Sequence, residues 1–334
     1  MARHLIGKER ARLSRLRNQV RLWLLVLVPI AAGLGMLFLG ANSAPDAKII
    51  AVDLDEKSLI SPVQQITSSA YGEPGDDSLR VAIAGVLSPT KTLEYYQDLL
   101  SYLEQKLGRR VTLVLKPTYS EINDLIRGNR VDVAFVCSLA YVKGKDEFGM
   151  ELLVAPQIDG QTTYYSYLIV PSASNARSLQ DFRGASFAFT DPVSNSGYLA
   201  PAYQVSLLGA TPASFFSRYI FTYSHDNSVM AVAEKLIDGA AVDSLVYDQL
   251  VNDNAELAAK LKVIARWGPY GIPPVVVNPA LDSRLKQELR DFFLALHTSD
   301  KGAEILANLA IDRFLIISDD AYSSIREMKA KLGW

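Results

Sequence analysis

From Leu79 onward the chain alternates short apolar runs with stretches of helical spacing, and this alternation restricts the fold more than any other feature. Leu79-Arg80-Val81-Ala82-Ile83-Ala84-Gly85 reads as a strand, and Ser88-Pro89-Thr90 as a cap with proline at the entry of a helix over Thr92–Leu107. Val111–Leu115, the loop Lys116-Pro117-Thr118-Tyr119, a helix over Ser120–Arg127 and the strand-like run Val131–Val136 repeat the pattern. Such alternation predicts parallel strands joined by helices, an α/β fold that places ligands at the carboxyl ends of its strands.

Three polar clusters interrupt this pattern in its second half. Asp191-Pro192-Val193-Ser194-Asn195-Ser196-Gly197-Tyr198 follows the apolar run Ala185–Thr190 and leads into a helical run over Leu199–Leu208. Tyr223-Ser224-His225-Asp226-Asn227-Ser228 precedes another helical run, Val229–Leu236, and Ala241-Val242-Asp243-Ser244 ends a short apolar segment. Unpaired backbone N–H groups at a helix start, with the positive end of the dipole behind them, form an anion cradle. An ordinary helix cap uses the same residue types, so the turns alone leave both readings open.

The order of these segments resembles a known family. Phe182-Arg183-Gly184-Ala185-Ser186-Phe187-Ala188-Phe189-Thr190-Asp191-Pro192, the Ser194-Asn195-Ser196-Gly197-Tyr198 turn, Ser224-His225-Asp226 and Val242-Asp243-Ser244 resemble PhnD-like substrate-binding proteins of phosphate, phosphite and phosphonate ABC transporters, over about Ser78 to Met328. The resemblance implies a periplasmic-binding-protein type II fold: two α/β lobes, joined by a two-crossing hinge, that close over a phosphorus oxyanion. It places lobe 1 at about 78–166 and 271–334 and lobe 2 at about 167–270. The return crossing is expected near Leu261–Trp267, with Pro273-Pro274-Val275-Val276-Val277 as a strand re-entering lobe 1. Asp282–Leu296 and Lys301–Ala310 read as helices, and Ile311-Asp312-Arg313-Phe314 resembles the family's terminal signature.

The implied ligand-binding residues are Tyr119, Tyr164, Ser194, Asn195, Ser196, His225 and Asp243, with Ser138 and Tyr141 of lower weight. Ser194, Asn195 and Ser196 offer backbone and side-chain donors to several equivalent oxygens. His225 adds a donor or, when protonated, a charge; a surface turn histidine is the plainer alternative. Asp243 repels an anion unless a proton lies between them, so it either accepts from a protonated ligand oxygen or an amino group, or merely caps a helix. Tyr119, read as a loop residue, and Tyr164 would donate phenol protons, while strand alternation puts Tyr165 on the face opposite Tyr164 and Ser166. The family usually carries a Gly-Pro pair where this chain has Cys137-Ser138, which leaves the identity of the oxyanion open. Cys137, the only cysteine, has no disulfide partner and reads as packing at the end of the Val131–Val136 strand.

The amino-terminal region sets the location. Residues 1–21 form a basic leader with Arg3, Lys8, Arg10, Arg12, Arg15, Arg17 and Arg21 against Glu9, and no charged residue then appears from Leu22 to Pro45. A span of about 20 apolar residues crosses a bilayer and a positive flank stays cytoplasmic, so 22–44 is expected to be a transmembrane signal-anchor, with 45–77 a linker. The small residues Ala41-Asn42-Ser43 also suit cleavage, which keeps a signal peptide as the alternative. The expected location is the cell membrane, single-pass, with the binding domain outside the cytoplasm.

The whole chain carries −2, leaving −8 beyond the leader, which argues against a nucleic-acid surface. No P-loop, dinucleotide glycine fingerprint, His-Glu-x-x-His motif or Gly-x-Ser-x-Gly elbow is present, so no enzyme activity, cofactor or metal is expected. The expected partner is an ABC permease in the membrane. The alternative is an anchored sensor that reports ligand to a signalling partner.

Overall fold

The structure is a computed structural model and describes residues 78–334. The basic leader, the apolar stretch and the linker expected over residues 1–77 lie outside the described residues. Within those described, no helix is long and apolar enough to cross a membrane.

In chain order the first half contains β1 (Leu79–Ala84), α1 (Pro89–Leu107), β2 (Val111–Lys116), α2 (Tyr119–Arg127), β3 (Val133–Phe135), α3 (Ser138–Phe148) and β4 (Glu151–Gln157). There follow β5 (Thr163–Pro171), β6 (Ser186–Phe189), α4 (Ala200–Leu207), α5 (Pro212–Phe215), β7 (Arg218–Phe221), α6 (His225–Ala233), β8 (Gly239–Asp243), α7 (Ser244–Asp253), α8 (Ala255–Lys260) and β9 (Leu261–Gly271). The chain ends with β10 (Val275–Val277), α9 (Ser283–Ala295), α10 (Asp300–Asn308), β11 (Arg313–Leu315) and α11 (Ser323–Lys331).

These strands form two sheets. The first runs β11-β4-β10-β3-β1-β2 and the second β7-β6-β8-β5-β9. β1 is parallel to β2 and β3, and β6 is parallel to β7 and β8, as the alternation predicts. β10 is antiparallel to both β3 and β4, and β5 is antiparallel to β8 and β9. The chain therefore passes between the sheets twice, after Gln157 and after Gly271. Leu261–Trp267, the expected return crossing, is instead part of β9, paired along β5 from Pro171 to Thr163. Its backbone is bonded along a neighbouring strand, and the crossing is left to Ile272-Pro273-Pro274. β5 likewise belongs to the second sheet from Thr163, earlier than the expected 167.

Burial on both faces explains why the strands read as continuous apolar runs rather than as alternating ones. Leu79, Val81 and Ile83 of β1 pack toward Leu99, Leu289, Phe293 and Phe314, while Ala82 and Ala84 face Ile122, Leu125 and Tyr141. In the second sheet Leu168, Phe187, Phe189 and Ala241 face one cluster, and Ile169, Ala188, Ala240 and Val242 the other. The first of these is aromatic: Phe187 stacks on Phe216 with centroids 4.4 Å apart and meets Phe182 and Phe189 edge to face.

Local chemistry fixes the helix starts that matter for the cleft. Pro89 opens α1 at its first turn, where the missing N–H is not needed. Thr118 and Glu121 form a reciprocal capping box that begins α2 at Tyr119. Tyr119, expected in a loop, is thus the first helical residue.

Phe187 is fully buried at the centre of its cluster. Phe187→Ala is expected to lower the unfolding free energy by about 3–5 kcal/mol, read from chemical denaturation. A loss below about 1 kcal/mol would mean that this aromatic cluster does not hold the second sheet.

Candidate functional site

Five helix starts meet where the two halves touch. They are the first turns of α2, α3, α6 and α7, and a π-helical turn, Asn195–Leu199, that runs straight into α4. Hydrogen bonds tie them together across the halves. The Tyr119 N–H donates to Asp191 Oδ2 at 3.1 Å, the Asn195 N–H to Cys137 Sγ at 3.3 Å, the His225 N–H to the Val86 carbonyl at 2.9 Å, and the Ser88 N–H to Asp226 Oδ1 at 3.0 Å.

Tyr119, Ser138, Tyr164, Ser194, Asn195, Ser196, His225 and Asp243 are all brought to this junction, and all are buried. Asn195 Nδ2 donates to the Tyr164 hydroxyl at 2.9 Å, and the Ser166 hydroxyl donates to the Ser196 carbonyl at 2.6 Å. Four side-chain atoms are buried without a hydrogen-bond partner among the described residues: Asn123 Oδ1, further along α2, and at the junction the Tyr119 hydroxyl, Asn195 Oδ1 and Ser196 Oγ. Buried polar atoms are nearly always paired, and leaving one unpaired costs about 1–3 kcal/mol. Two hydroxyl donors and one amide acceptor held in this way match a compact ligand that both accepts and donates.

Ser194 acts locally, its hydroxyl accepting from the Gly197 N–H at 3.0 Å, the capping that its residue type suggests. The turn is tight around Gly197, where an added Cβ would sit 2.4 Å from Thr190 Oγ1. The Ser138 hydroxyl donates to the Gly271 carbonyl at 2.7 Å, linking α3 to the return crossing. Tyr141 is directed elsewhere: its hydroxyl donates to Asp319, and its ring packs edge-on against Tyr322. Tyr164 and Ser166 are buried on one face of β5 and Tyr165 lies on the other, half-buried against the Arg266 guanidinium.

His225 Nδ1 accepts the Asp243 N–H at 3.0 Å, with Thr190 Oγ1 at 3.1 Å. An accepting Nδ1 leaves the ring proton on Nε2. Burial pushes the imidazole down to about 3, so at neutral pH His225 is an uncharged donor, not the compensating cation that its titration range suggested. Burial pushes the Cys137 thiol up to about 11, so it stays protonated, and raises the Tyr119 and Tyr164 phenols well above their ordinary value. No member of this cluster carries a positive charge. An anion placed here would meet N–H and O–H dipoles alone, as at helix-terminus oxyanion sites.

Two carboxyl groups share the junction. Asp191 accepts from Tyr119 N–H and, at 2.7 Å, from Val193 N–H, and burial raises it above its ordinary range. Asp243 caps α7 by accepting from the Leu245 N–H at 2.8 Å, and burial pushes it up to about 7. Asp191, Thr190, Ser166 and Cys137 were not among the expected site residues. Asp191 opens the polar turn and Ser166 shares the strand face of Tyr164, which are the signals that point to them. No cluster of three or more His, Cys, Asp or Glu side chains suited to a metal occurs among the described residues.

Because the folded-state value of Asp243 lies above the ordinary 3.8, its ionisation opposes folding. The cost is absent below about pH 4, grows as pH rises and is complete above about pH 7. Asp243→Asn keeps the cap and removes the cost. The ligand-free variant is therefore expected to gain about 3 kcal/mol on its parent between about pH 5 and about pH 8, by denaturant melts. A difference that does not change with pH would contradict a protonated Asp243.

Comparison with known proteins identifies the family. Residues 81–322 match the family model described as ABC transporter, phosphonate, periplasmic substrate-binding protein. The phosphonates-binding periplasmic protein of Escherichia coli is 30% identical over 290 residues, covering 85% of this chain and 84% of that protein. The phosphate-import protein PhnD of Mycolicibacterium smegmatis is 28% identical over 209 residues, 59% of this chain and 65% of that one. Among solved structures, a binding protein component of an ABC phosphonate transporter from Pseudomonas aeruginosa superposes with a TM-score of 0.72 at 27% identity, over 76% of this chain and 86% of its own. PhnD1 from Prochlorococcus marinus, solved in complex with methylphosphonate, shares the fold at 20% identity and a TM-score of 0.69, over 77% of this chain and 98% of its own. The fold is that of a periplasmic binding protein, and the chain belongs to the periplasmic substrate-binding protein family of phosphonate ABC transporters.

Proposed function

We propose that the chain captures a phosphorus oxyanion, whether phosphonate, phosphite or phosphate, between its two halves and delivers it to an ABC permease in the membrane. The observation that carries this reading is the set of partnerless buried atoms, Tyr119 hydroxyl, Asn195 Oδ1 and Ser196 Oγ, at a meeting point of helix starts. Tyr119 and Ser196 donate to ionised oxygens, joined by the Nε2–H of His225. Asn195 Oδ1 accepts from a ligand P–OH. Asp243, protonated below about pH 7, donates as well; above that it accepts from a ligand hydroxyl or amino group.

The halves move about the two crossings at 158–162 and 272–274, opening to admit ligand and closing through the Tyr119–Asp191 and His225–Val86 bonds. Binding is the whole chemistry: the family is one of transport components, and Ser196, His225 and Asp243 hold the ligand rather than attack it. The rival reading, a sensor with a signalling partner, draws no support from a family described as transport proteins.

Thermal denaturation of the full chain in detergent tests the ligand. A ligand at about a hundredfold excess over its Kd adds about 2.7 kcal/mol of stability. One of phosphate, phosphite, methylphosphonate or aminoethylphosphonate is expected to give such a shift while sulfate does not, and Ser196→Ala and Tyr119→Phe are expected to weaken it about tenfold or more. No shift across the panel would reject an oxyanion ligand.

Residues 22–44 retain the chain at the membrane, with the described residues outside the cytoplasm. After alkaline extraction the full-mass chain is expected in the membrane pellet. Release into the supernatant of a product lacking residues 1–44 would replace the anchor with a cleaved leader.

A further inference from the structure

The oxyanion junction is compact, yet a cavity of about 480 Å³ lies beside it and shares Val86 and Asp243 with it. That volume falls within the roughly 300–1,000 Å³ of small-molecule sites, and methylphosphonate or phosphite would leave it empty. Its walls come from both halves and from the return crossing: Ile83, Leu87, Tyr96, Phe135, Val246 and Pro274 make them largely apolar. Tyr96 and Phe135 meet edge to face at 5.1 Å, a firm aromatic surface. None of the charged residues lining it is a lysine or arginine, whereas Asp159, Asp248 and Asp253 line its solvent-exposed side and buried Asp243 its inner side. The Asp248 carboxylate accepts from the Tyr167 hydroxyl at 3.2 Å and that of Asp253 from the Tyr95 hydroxyl at 3.5 Å. The nearby cations, Lys91 over Tyr95 and Arg266 over Tyr165 and Tyr167, do not line the cavity, although the Arg266 charge reaches Asp248.

Apolar walls with an anionic rim select an amphipathic cation. An alkyl chain gains from leaving water, and an ammonium at its end reaches carboxylates while remaining partly solvated. Resting on the oxyanion reading above, we propose that this cavity takes the organic substituent of the ligand, a chain several carbons long ending in an ammonium group, with the phosphorus head at Tyr119 and Ser196 and the chain passing Asp243. The natural ligand is then an aminoalkyl phosphonate or phosphate ester larger than the methyl or aminoethyl compounds, and Tyr96, Phe135, Asp248 and Asp253 set specificity without touching the oxyanion.

Calorimetric titration of the full chain in detergent with methylphosphonate, hexylphosphonate and aminohexylphosphonate tests this. Each buried methylene strengthens binding about fourfold, so hexylphosphonate is expected to bind at least about tenfold tighter than methylphosphonate, and aminohexylphosphonate several-fold tighter again. Leu309→Trp, which fills the cavity, is expected to erase the chain's gain, and Asp248→Asn with Asp253→Asn the ammonium's gain. Methylphosphonate affinity is expected to stay the same in both variants. Equal affinities for all three ligands, no preference for the ammonium in the parent, or gains that survive in both variants would overturn the proposal while leaving the oxyanion reading intact. Failure of all three ligands to bind would overturn both.

Discussion

The carboxylate of Asp191 is the constraint on which the cleft depends. It is buried, receives one N–H from its own turn through Val193, and takes another from Tyr119 at the start of α2 in the other half. A buried carboxylate with fewer partners would be costly, and so would an orphaned N–H at Tyr119. Each group removes the other's penalty only when the halves are together. The bond therefore ties the two halves through groups that tolerate separation only when water reaches them. Around it, Asn195 meets Cys137 and His225 meets Val86 on the same logic, with backbone N–H donors finding acceptors across the junction.

How the cluster treats charge follows from this closure. With the junction dry, His225 is neutral, the phenols are neutral, and Asp243 is neutral up to about pH 7. What the junction offers an anion is therefore the dipoles of the assembled helix starts, with no buried cation to desolvate. Cys137 fits this scheme. Its thiol is buried, accepts a weak bond from the Asn195 N–H and adds no charge to the junction.

Much of this was legible in the sequence. Apolar runs at Leu79–Ala84, Val111–Leu115 and Ala185–Thr190 hold strands because apolar clusters pack on both faces of their sheets, and Pro89 and Thr118 marked helix starts through chemistry confined to a few neighbouring residues. Local pattern failed where a distant partner decides. Leu261–Trp267 reads as a return crossing, yet its ladder with β5 makes it part of a strand that runs to Gly271. His225 begins a helix rather than ending a loop because the Ser224 hydroxyl caps Asn227. The neutrality of His225 and the partnering of Asp191 depend on burial between segments far apart in the chain, which spacing along the sequence does not encode.

The placement of β10 has a consequence for biogenesis. This strand sits in the middle of the first sheet, between β3 and β4, and it is made of residues 275–277. All strands of the second sheet, by contrast, lie within the uninterrupted stretch from Thr163 to Gly271. During synthesis or passage through a membrane pore, the half that emerges first is thus the one that must wait. β3 and β4 stay without their shared neighbour until the other half has cleared, and the edges they leave unpaired are exposed to association meanwhile.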